Sequence, residues 1–369
     1  MRSLNLKSQK QSLDIGLLTA TFALLLFGLV MIYDASVVAA FRDFGDKLFY
    51  FKNQLIWASI GTVALAFFSI FDYHKLVKLS PKIIAVALVF LVLVLIPHIG
   101  TKIYGARRWI NVAGFSFQPS EMAKLALIFY QAYIMSKFKN YKVKFMDIVY
   151  VLFLPSMLLT TLVLLEPDLG TALIFAGIAA SMYFVGGGSL THFAIMIPGM
   201  LAAIVGAILI HPYRLNRIKA FLDPSYDPQG ASYQINQILI SLANGGLLGV
   251  GIGGSKGKFD FIPEVHSDAI FAVIVEEFGF LGAVVFIGVI LFLISRAIQI
   301  ARGAKDMEGK IIAVGIVSLL AIQAFLNLAS VVALTPLTGI SLPFISYGGS
   351  SLLMTMISIG ILTNIKRQS

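Results

Sequence analysis

The chain has 369 residues, of which 58% are hydrophobic and only 12% charged, and its mean hydropathy is +0.90. A soluble domain carries about 25% charged residues, so the composition excludes an ordinary soluble enzyme and implies a polytopic integral membrane protein. Cysteine is absent, which excludes disulfides, thiolate metal sites and cysteine nucleophiles. The net charge of +10 fits anionic lipid, an anionic substrate or basic inner loops, and no nucleic-acid partner is expected.

Apolar runs of roughly 20 residues are each long enough to cross a bilayer as a helix. They predict ten membrane helices, over 15–36, 53–71, 82–99, 119–136, 147–165, 169–185, 190–210, 268–295, 311–333 and 346–365. The first run, Ile15 to Ile32, is too long for a signal-peptide core and no small-residue cleavage site follows it, so it reads as a retained helix. An even number of spans puts both termini on one side. Arg2, Lys7 and Lys10 in one tail and Lys366 and Arg367 in the other make that side the cytoplasm. The expectation is an all-α membrane unit over 1–369 with a large extracytoplasmic loop, about 211–267, between the seventh and eighth helices. The positive bias toward the inside is weak, because basic residues also concentrate in two outer loops, 100–118 and 211–267. Outer loops tolerate scattered basic residues, but clusters favour an anionic ligand on the outer face.

Along the chain, Gly105-Ala-Arg-Arg-Trp-Ile-Asn111 comes first. Arg107 and Arg108 beside a Trp can bind a phosphate group bidentately, or can simply anchor the chain at the headgroups. Gln118-Pro-Ser-Glu121 is a helix start, with Pro suited to the first turn and Glu complementing the dipole. Glu121 and Lys124 share a helix face at i and i+3. They make a structural ion pair, line a polar cavity, or both. In Glu166-Pro-Asp-Leu-Gly170, Asp168 either caps the next helix or joins Glu166 in facing a cavity or a divalent cation.

The outer loop contributes Arg214 and Arg217, consecutive turns over Asp223 to Gly230, a helical stretch from Gln234 to Leu242, and a glycine-dense run from Asn244 to Gly254. Such glycine density suits backbone passing close to a helix or a ligand. It matches no P-loop or dinucleotide fingerprint, since no strand precedes it. Phe261 to Asp268 then places Glu264, His266 and Asp268 where a polar loop becomes an apolar helix. Ser267 and Asp268 are also good N-cap residues, so the residues alone divide Asp268 evenly between cap and catalyst. Glu276 and Glu277 lie in mid-membrane and must face protein or water. The last motif, Ser341 to Ser351, includes Ser346 and Tyr347, and its Gly348, Gly349, Ser350 and Ser351 allow close helix packing. A serine nucleophile there would need a neighbouring base, and none is near in sequence.

Together these segments resemble the SEDS family of bacterial membrane proteins, the group of FtsW, RodA and SpoVE. The marks are Gly105-Ala-Arg-Arg-Trp-Ile, Gln118-Pro-Ser-Glu-Met-Ala-Lys124, Glu166-Pro-Asp-Leu-Gly-Thr171, Arg217 with Phe221-Leu-Asp-Pro224 and Asp227-Pro-Gln-Gly230, Pro263-Glu-Val-His-Ser-Asp268, and Pro343-Phe-Ile-Ser-Tyr-Gly-Gly-Ser-Ser351. Each is modest alone; six in order over nearly the whole chain are specific. The resemblance implies a peptidoglycan glycosyltransferase that polymerises lipid II, with Asp268 at the family's essential acid and Glu121–Lys124 at its intramembrane pair. The remaining motif residues, Asp168, Glu264, His266, Ser267, Ser346 and Tyr347, would be supporting groups. Ser267 stands where Thr is common and Ala269 where Phe is usual. The hydroxyl is retained, while the smaller Ala alters pocket shape. The short step from Gly249 to Glu264 and the Trp109-Ile-Asn111 sequence lean toward division-type FtsW rather than elongation-type RodA.

On this reading Asp268 is the general base for an attacking sugar hydroxyl. Arg107, Arg108, Arg214 and Arg217, a divalent cation (Mg or Mn), or both would hold the leaving pyrophosphate. The expected partners are a class B penicillin-binding protein and other membrane proteins of the division or elongation machinery. Two other classes compete: a flippase for lipid-linked oligosaccharide, and a non-enzymatic division scaffold. A flippase needs a polar path through both leaflets, whereas the inner halves of most spans are uniformly apolar. A scaffold explains neither the buried ionisable groups nor the polar loop.

Overall fold

The computed structural model describes residues 13–103, 106–112, 115–138, 149–210, 212–230, 232–258 and 262–369. Gly105, Phe261, the N-terminal Arg2, Lys7 and Lys10, and the basic loop residues Lys139, Lys142 and Lys144 lie outside the described residues. Twelve α-helices are present among the described residues. In chain order they are α1 (Ile15–Phe44), α2 (Phe49–Ile70), α3 (Tyr73–Leu95), α4 (Pro119–Phe138), α5 (Leu154–Leu165, entered through one π turn, Val149–Phe153), α6 (Leu169–Val185), α7 (Leu190–Ile210), α8 (Pro212–Leu222), α9 (Tyr233–Gly245), α10 (Ile270–Gly303), α11 (Met307–Val331) and α12 (Gly349–Gln368). A helix overlies each of the ten predicted segments. Six of them, α1, α2, α3, α7, α10 and α11, are long and apolar enough to cross a membrane; the α5 region and α6 are shorter apolar helices.

Two expectations change. The third helix starts at Tyr73 rather than 82, because the Asp72 side chain caps it by accepting from His74 N at 3.0 Å and the helix continues through Pro81. The fold is also not purely helical. Between α3 and α4 lies an antiparallel sheet, β1 (Gly100–Ile103), β2 (Ala106–Val112) and β3 (Phe115–Phe117), in the order β1-β2-β3. Thr101 pairs with Trp109 and Ile110 with Phe117. These strands are too short for their alternation to stand out between two helices.

The bundle is closed by helix pairs whose contact depends on small residues. α2 and α12 lie so close that a Cβ on Gly349 would sit 2.2 Å from Trp57 Nε1, the close approach that small residues permit in membrane helices. Asp14 accepts from Leu17 N at 2.9 Å to cap α1 and also binds Arg296 Nη2 at 2.8 Å, fixing the start of α1 to the far half of α10. Buried Leu, Ile, Ala and Phe side chains from α1, α4, α6, α10, α11 and α12 form one core. Helix α7 has no buried residue.

Candidate functional site

Asp268 sits two residues before α10. The helix begins at the Ala269 cap position with no side-chain capping bond, so Asp268 does not serve as its N-cap. Its backbone carbonyl is held instead, by Asn327 Nδ2 of α11 at 2.8 Å, and the same amide donates to Ile340 O at 2.7 Å. Asn327 thereby joins the loop before α10 to the 337–348 segment. Gly339, at φ 69°, runs alongside the Asp268 carboxyl: a Cβ there would be 3.8 Å from Oδ2. Asp268 Oδ1 is sealed from solvent and has no hydrogen-bond partner. Burial pushes its pKa up to about 6, with Glu264 adding to the rise and the Arg217 guanidinium opposing it. A carboxylate held near neutrality, with one oxygen unengaged, is suited to accept a proton.

Arg217 of α8 acts electrostatically on this carboxyl and also lines a cavity. One of its amino groups donates to Leu337 O at 2.8 Å. The cavity, about 560 Å³, is bounded by Arg217, Asn216, Asp227, Tyr233 and Gln234 of the outer segment, with Pro263 and Leu337. Asp268 is not among its lining residues; Arg217 serves both. His266 is buried between aromatic rings, with centroids 4.2 Å from Tyr50 and 5.6 Å from Tyr347, and its carbonyl accepts from Tyr347 N at 2.9 Å. Burial lowers the His266 pKa against the pull of Glu264 and Asp43. Glu264, at φ 52°, has its carboxylate 3.9 Å from the His266 ring. Ser267 is half-buried between His266 and Asp268. Ser346 is a turn residue, its Oγ accepting from Leu342 N at 2.8 Å.

Glu121 and Lys124 are both buried and paired at 2.8 Å. Lys124 Nζ also donates to Gln323 Oε1 at 3.0 Å, and Gln323 Nε2 donates to Ser341 O at 3.0 Å. The pair is thus structural and at the same time part of a polar chain running from α4 through α11 to the segment that flanks Asp268. Gln323 and Asn327, four residues apart on α11, were missed by sequence reasoning. Their signal was available: two amides on one face of an otherwise apolar helix.

Three of the four arginines offered for pyrophosphate, Arg108, Arg214 and Arg217, donate to backbone carbonyls. Arg108 donates from Nε to Glu166 O at 3.0 Å and from Nη2 to Pro167 O, and lies 3.9 Å from Asp168. Arg214 is buried and donates to Ala207 O at 2.7 Å and Leu164 O at 2.8 Å. Arg107 lies in β2, opposite Lys102. The Arg108 and Arg214 side chains satisfy carbonyls at or beside helix ends. Asp168 is a cap after all: its carboxylate accepts from Thr171 N at 3.0 Å and Thr171 Oγ1 at 2.9 Å. Glu166 beside it is fully buried with both carboxyl oxygens unpartnered, and burial reinforced by Asp168 pushes its pKa up to about 9 despite Arg108. Both Asp168 oxygens are engaged in the cap and a guanidinium lies alongside, so this turn does not fit a divalent cation. Among the described residues, no three His, Asp or Glu side chains converge as a metal ligand set.

Glu276 and Glu277, on the first part of α10, fold the glycine-rich segment onto the helix. Glu276 accepts from Ser255 Oγ at 2.5 Å, Lys256 N at 3.2 Å, Gly257 N at 3.3 Å and Asn244 Nδ2 at 3.3 Å. Glu277 Oε1 accepts from Gly253 N at 3.0 Å and from Lys258 Nζ at 3.0 Å, and that ammonium also binds Asp34 of α1 at 2.8 Å. Of the two partners foreseen for the glycines, the structure supplies the helix.

The sequence of residues 16–369 matches the model of the FtsW, RodA and SpoVE family, described as cell cycle proteins. The stage V sporulation protein E of Bacillus subtilis is 40% identical, over 98% of this chain and 99% of its own length. A probable peptidoglycan glycosyltransferase FtsW of Trichlorobacter lovleyi is 42% identical, over 95% of this chain and 92% of its own. Among solved structures, a chain of a peptidoglycan synthase complex that coordinates polymerization and crosslinking superposes with a TM-score of 0.79 at 25% identity, covering 97% of this chain and 98% of that one. The rod shape determining protein RodA of Thermus thermophilus gives 0.71 at 25% identity, covering 97% of both chains. The fold is therefore shared with RodA, while the sequence stands nearer to FtsW and SpoVE.

Proposed function

Because the chain belongs to the family of FtsW, RodA and SpoVE cell cycle proteins, we propose that it is a peptidoglycan glycosyltransferase polymerising lipid II, with Asp268 as general base. The observation that carries the residue assignment is the Asp268 carboxyl: one oxygen buried and unpartnered, pKa pushed up to about 6, under the influence of Arg217, which lines the 560 Å³ cavity. A sugar hydroxyl of one lipid-linked disaccharide attacks the anomeric carbon of another. The new C–O bond forms as the bond to pyrophosphate breaks, and the bonding pair leaves with undecaprenyl pyrophosphate. Asp268 takes the hydroxyl proton and later returns it to solvent. A base with a pKa near 6 is mostly ionised at neutral pH yet basic enough to share a proton in the transition state. Arg217 is the cation best placed for the leaving group, since it lines the cavity and Arg107, Arg108 and Arg214 do not.

The polymer is made at the outer face of the bacterial cytoplasmic membrane, from ten spans with both termini inside and the 211–267 segment outside. A lipid-anchored substrate explains an embedded catalyst. The relative that sits in a peptidoglycan synthase complex supports pairing with a crosslinking enzyme of the class B penicillin-binding type. The names of the relatives do not favour a flippase or an inert scaffold. The deciding experiment reconstitutes purified protein with lipid II, with and without the partner transpeptidase. Glycan polymer from the wild type and none from a folded Asp268→Asn protein supports the assignment. Undiminished polymer from that variant removes Asp268 as the base, and lipid II crossing the bilayer without polymer restores the flippase.

A further inference from the structure

Helix α10 is broken at Gly279, where φ is 68° and ψ −170°. Gly279 lies nine residues beyond Ile270, about 14 Å along the helix at ~1.5 Å per residue. A break within a membrane helix frees backbone groups that hydrocarbon cannot satisfy. The glycine-rich segment satisfies them. Phe280 N donates to Gly246 O at 2.9 Å and Leu281 N to Leu247 O at 3.2 Å, while Glu276 O and Glu277 O accept from Val250 N at 3.0 Å and Gly251 N at 3.1 Å. The fit is tight: a Cβ on Gly249, at φ 81°, would sit 2.1 Å from Glu277 O. Residues 246–251 are thereby fixed at the level of Gly279, inside the length of a helix that is itself long and apolar enough to cross a membrane.

The outer side of this segment is apolar and open. Leu247 is 70% exposed, Leu248 77% and Ile252 75%, and they continue the outward face of α10 formed by Phe280, Leu281 and Val285. Its inner side is polar, bound through Ser255 Oγ, the Lys256 backbone N–H and Lys258 Nζ to Glu276, Glu277 and Asp34. We infer that residues 246–254 form a re-entrant hairpin whose Leu247, Leu248 and Ile252 side chains lie among the acyl chains of the bilayer. The segment expected to be wholly extracytoplasmic thus has a part that dips into the membrane. Lipid is the occupant the geometry favours, because the apolar side chains adjoin those of a spanning helix and the Val250, Gly251 and Gly253 amides are turned to that helix. Irregular backbone is tolerated at such depth when protein satisfies it, as the hydrogen bonds here do. The inference depends on α10 crossing the bilayer and not on which residue is the base.

The absence of cysteine makes the test direct. Leu248→Cys and Ile252→Cys are compared in proteoliposomes with Ser225→Cys on the exposed turn of the outer segment. A membrane-impermeant maleimide should label the Ser225 variant and fail on the other two until detergent is added. A bimane attached at position 248 or 252 should be quenched by lipids carrying a nitroxide on the acyl chain. Labelling of all three at one rate in membranes overturns the inference. Protection without acyl-chain quenching also overturns it, by showing that another protein surface or a second copy covers the hairpin.

Discussion

Asp268 and Glu276 are acids eight positions apart, one just before α10 and one within it, and the fold treats them in opposite ways. Glu276 is saturated: both oxygens accept, from Ser255, Lys256, Gly257 and Asn244. Asp268 has its backbone held by Asn327 while Oδ1 is buried without a partner. A saturated carboxylate is a fixed acceptor that organises a loop, and has little capacity left for a proton. One with a buried oxygen left unengaged is destabilised as an anion and therefore more basic. The lesson is that burial alone does not mark the reactive acid: Glu166 and Asp268 both keep carboxyl oxygens without partners, and Asp268 has in addition the neighbouring Arg217 of the cavity.

The sharpest way to break this contrast is to exchange the carboxyls. Asp268→Asn should lower the rate of lipid II polymerisation by about 10²–10⁴-fold, the usual worth of a positioned base, with no loss of folded protein in detergent. Glu276→Leu should do the reverse. Each donor left without its acceptor costs about 1–3 kcal/mol, so thermal unfolding should shift down markedly, while turnover per folded molecule persists. Equal catalytic loss from both would erase the distinction. A subtler probe is pH. Polymerisation should rise with pH through about 6 as Asp268 loses its proton. Arg217 holds that value down, so Arg217→Gln should move the rising limb upward by up to about one unit, a differential of ~1.4 kcal/mol. A limb that stays in place in Arg217→Gln would detach Arg217 from Asp268. A purely structural effect concerns Glu166. Its folded pKa of about 9 lies above its ordinary 4.5, so between those values the folded state keeps a proton the unfolded chain has released. Stability should then fall as pH rises across that window, and Glu166→Gln should flatten the slope seen in melting temperatures.

Much of the helix layout was legible in the chain, because hydropathy runs and caps are local signals: Asp14, Asp72 and Asp306 each accept from a backbone amide at the helix they precede. The strands over 100–117 and helix α8 were not, being short and embedded among stronger signals. The site was legible as a roster of charged residues and not as roles. Arg108 looked like a phosphate ligand because the carbonyls it binds lie 58 and 59 positions away. Asp268 looked equally like a cap because Ser-Asp before an apolar run is what a cap looks like; only the backbone placed the cap one residue later.

By itself, then, the sequence determined that the chain belongs in a membrane, where its helices run and which few acids and bases lie near them, since those follow from composition and neighbours along the chain. The tertiary structure decided which of those charges are satisfied. Lys258 meets Asp34 across 224 positions, Lys124 meets Gln323 across 199, and Asn327 meets Asp268 across 59. Desolvation and hydrogen bonding, which separate a reactive carboxylate from a structural one, are set by such distant partners, so that distinction exists only in the folded molecule.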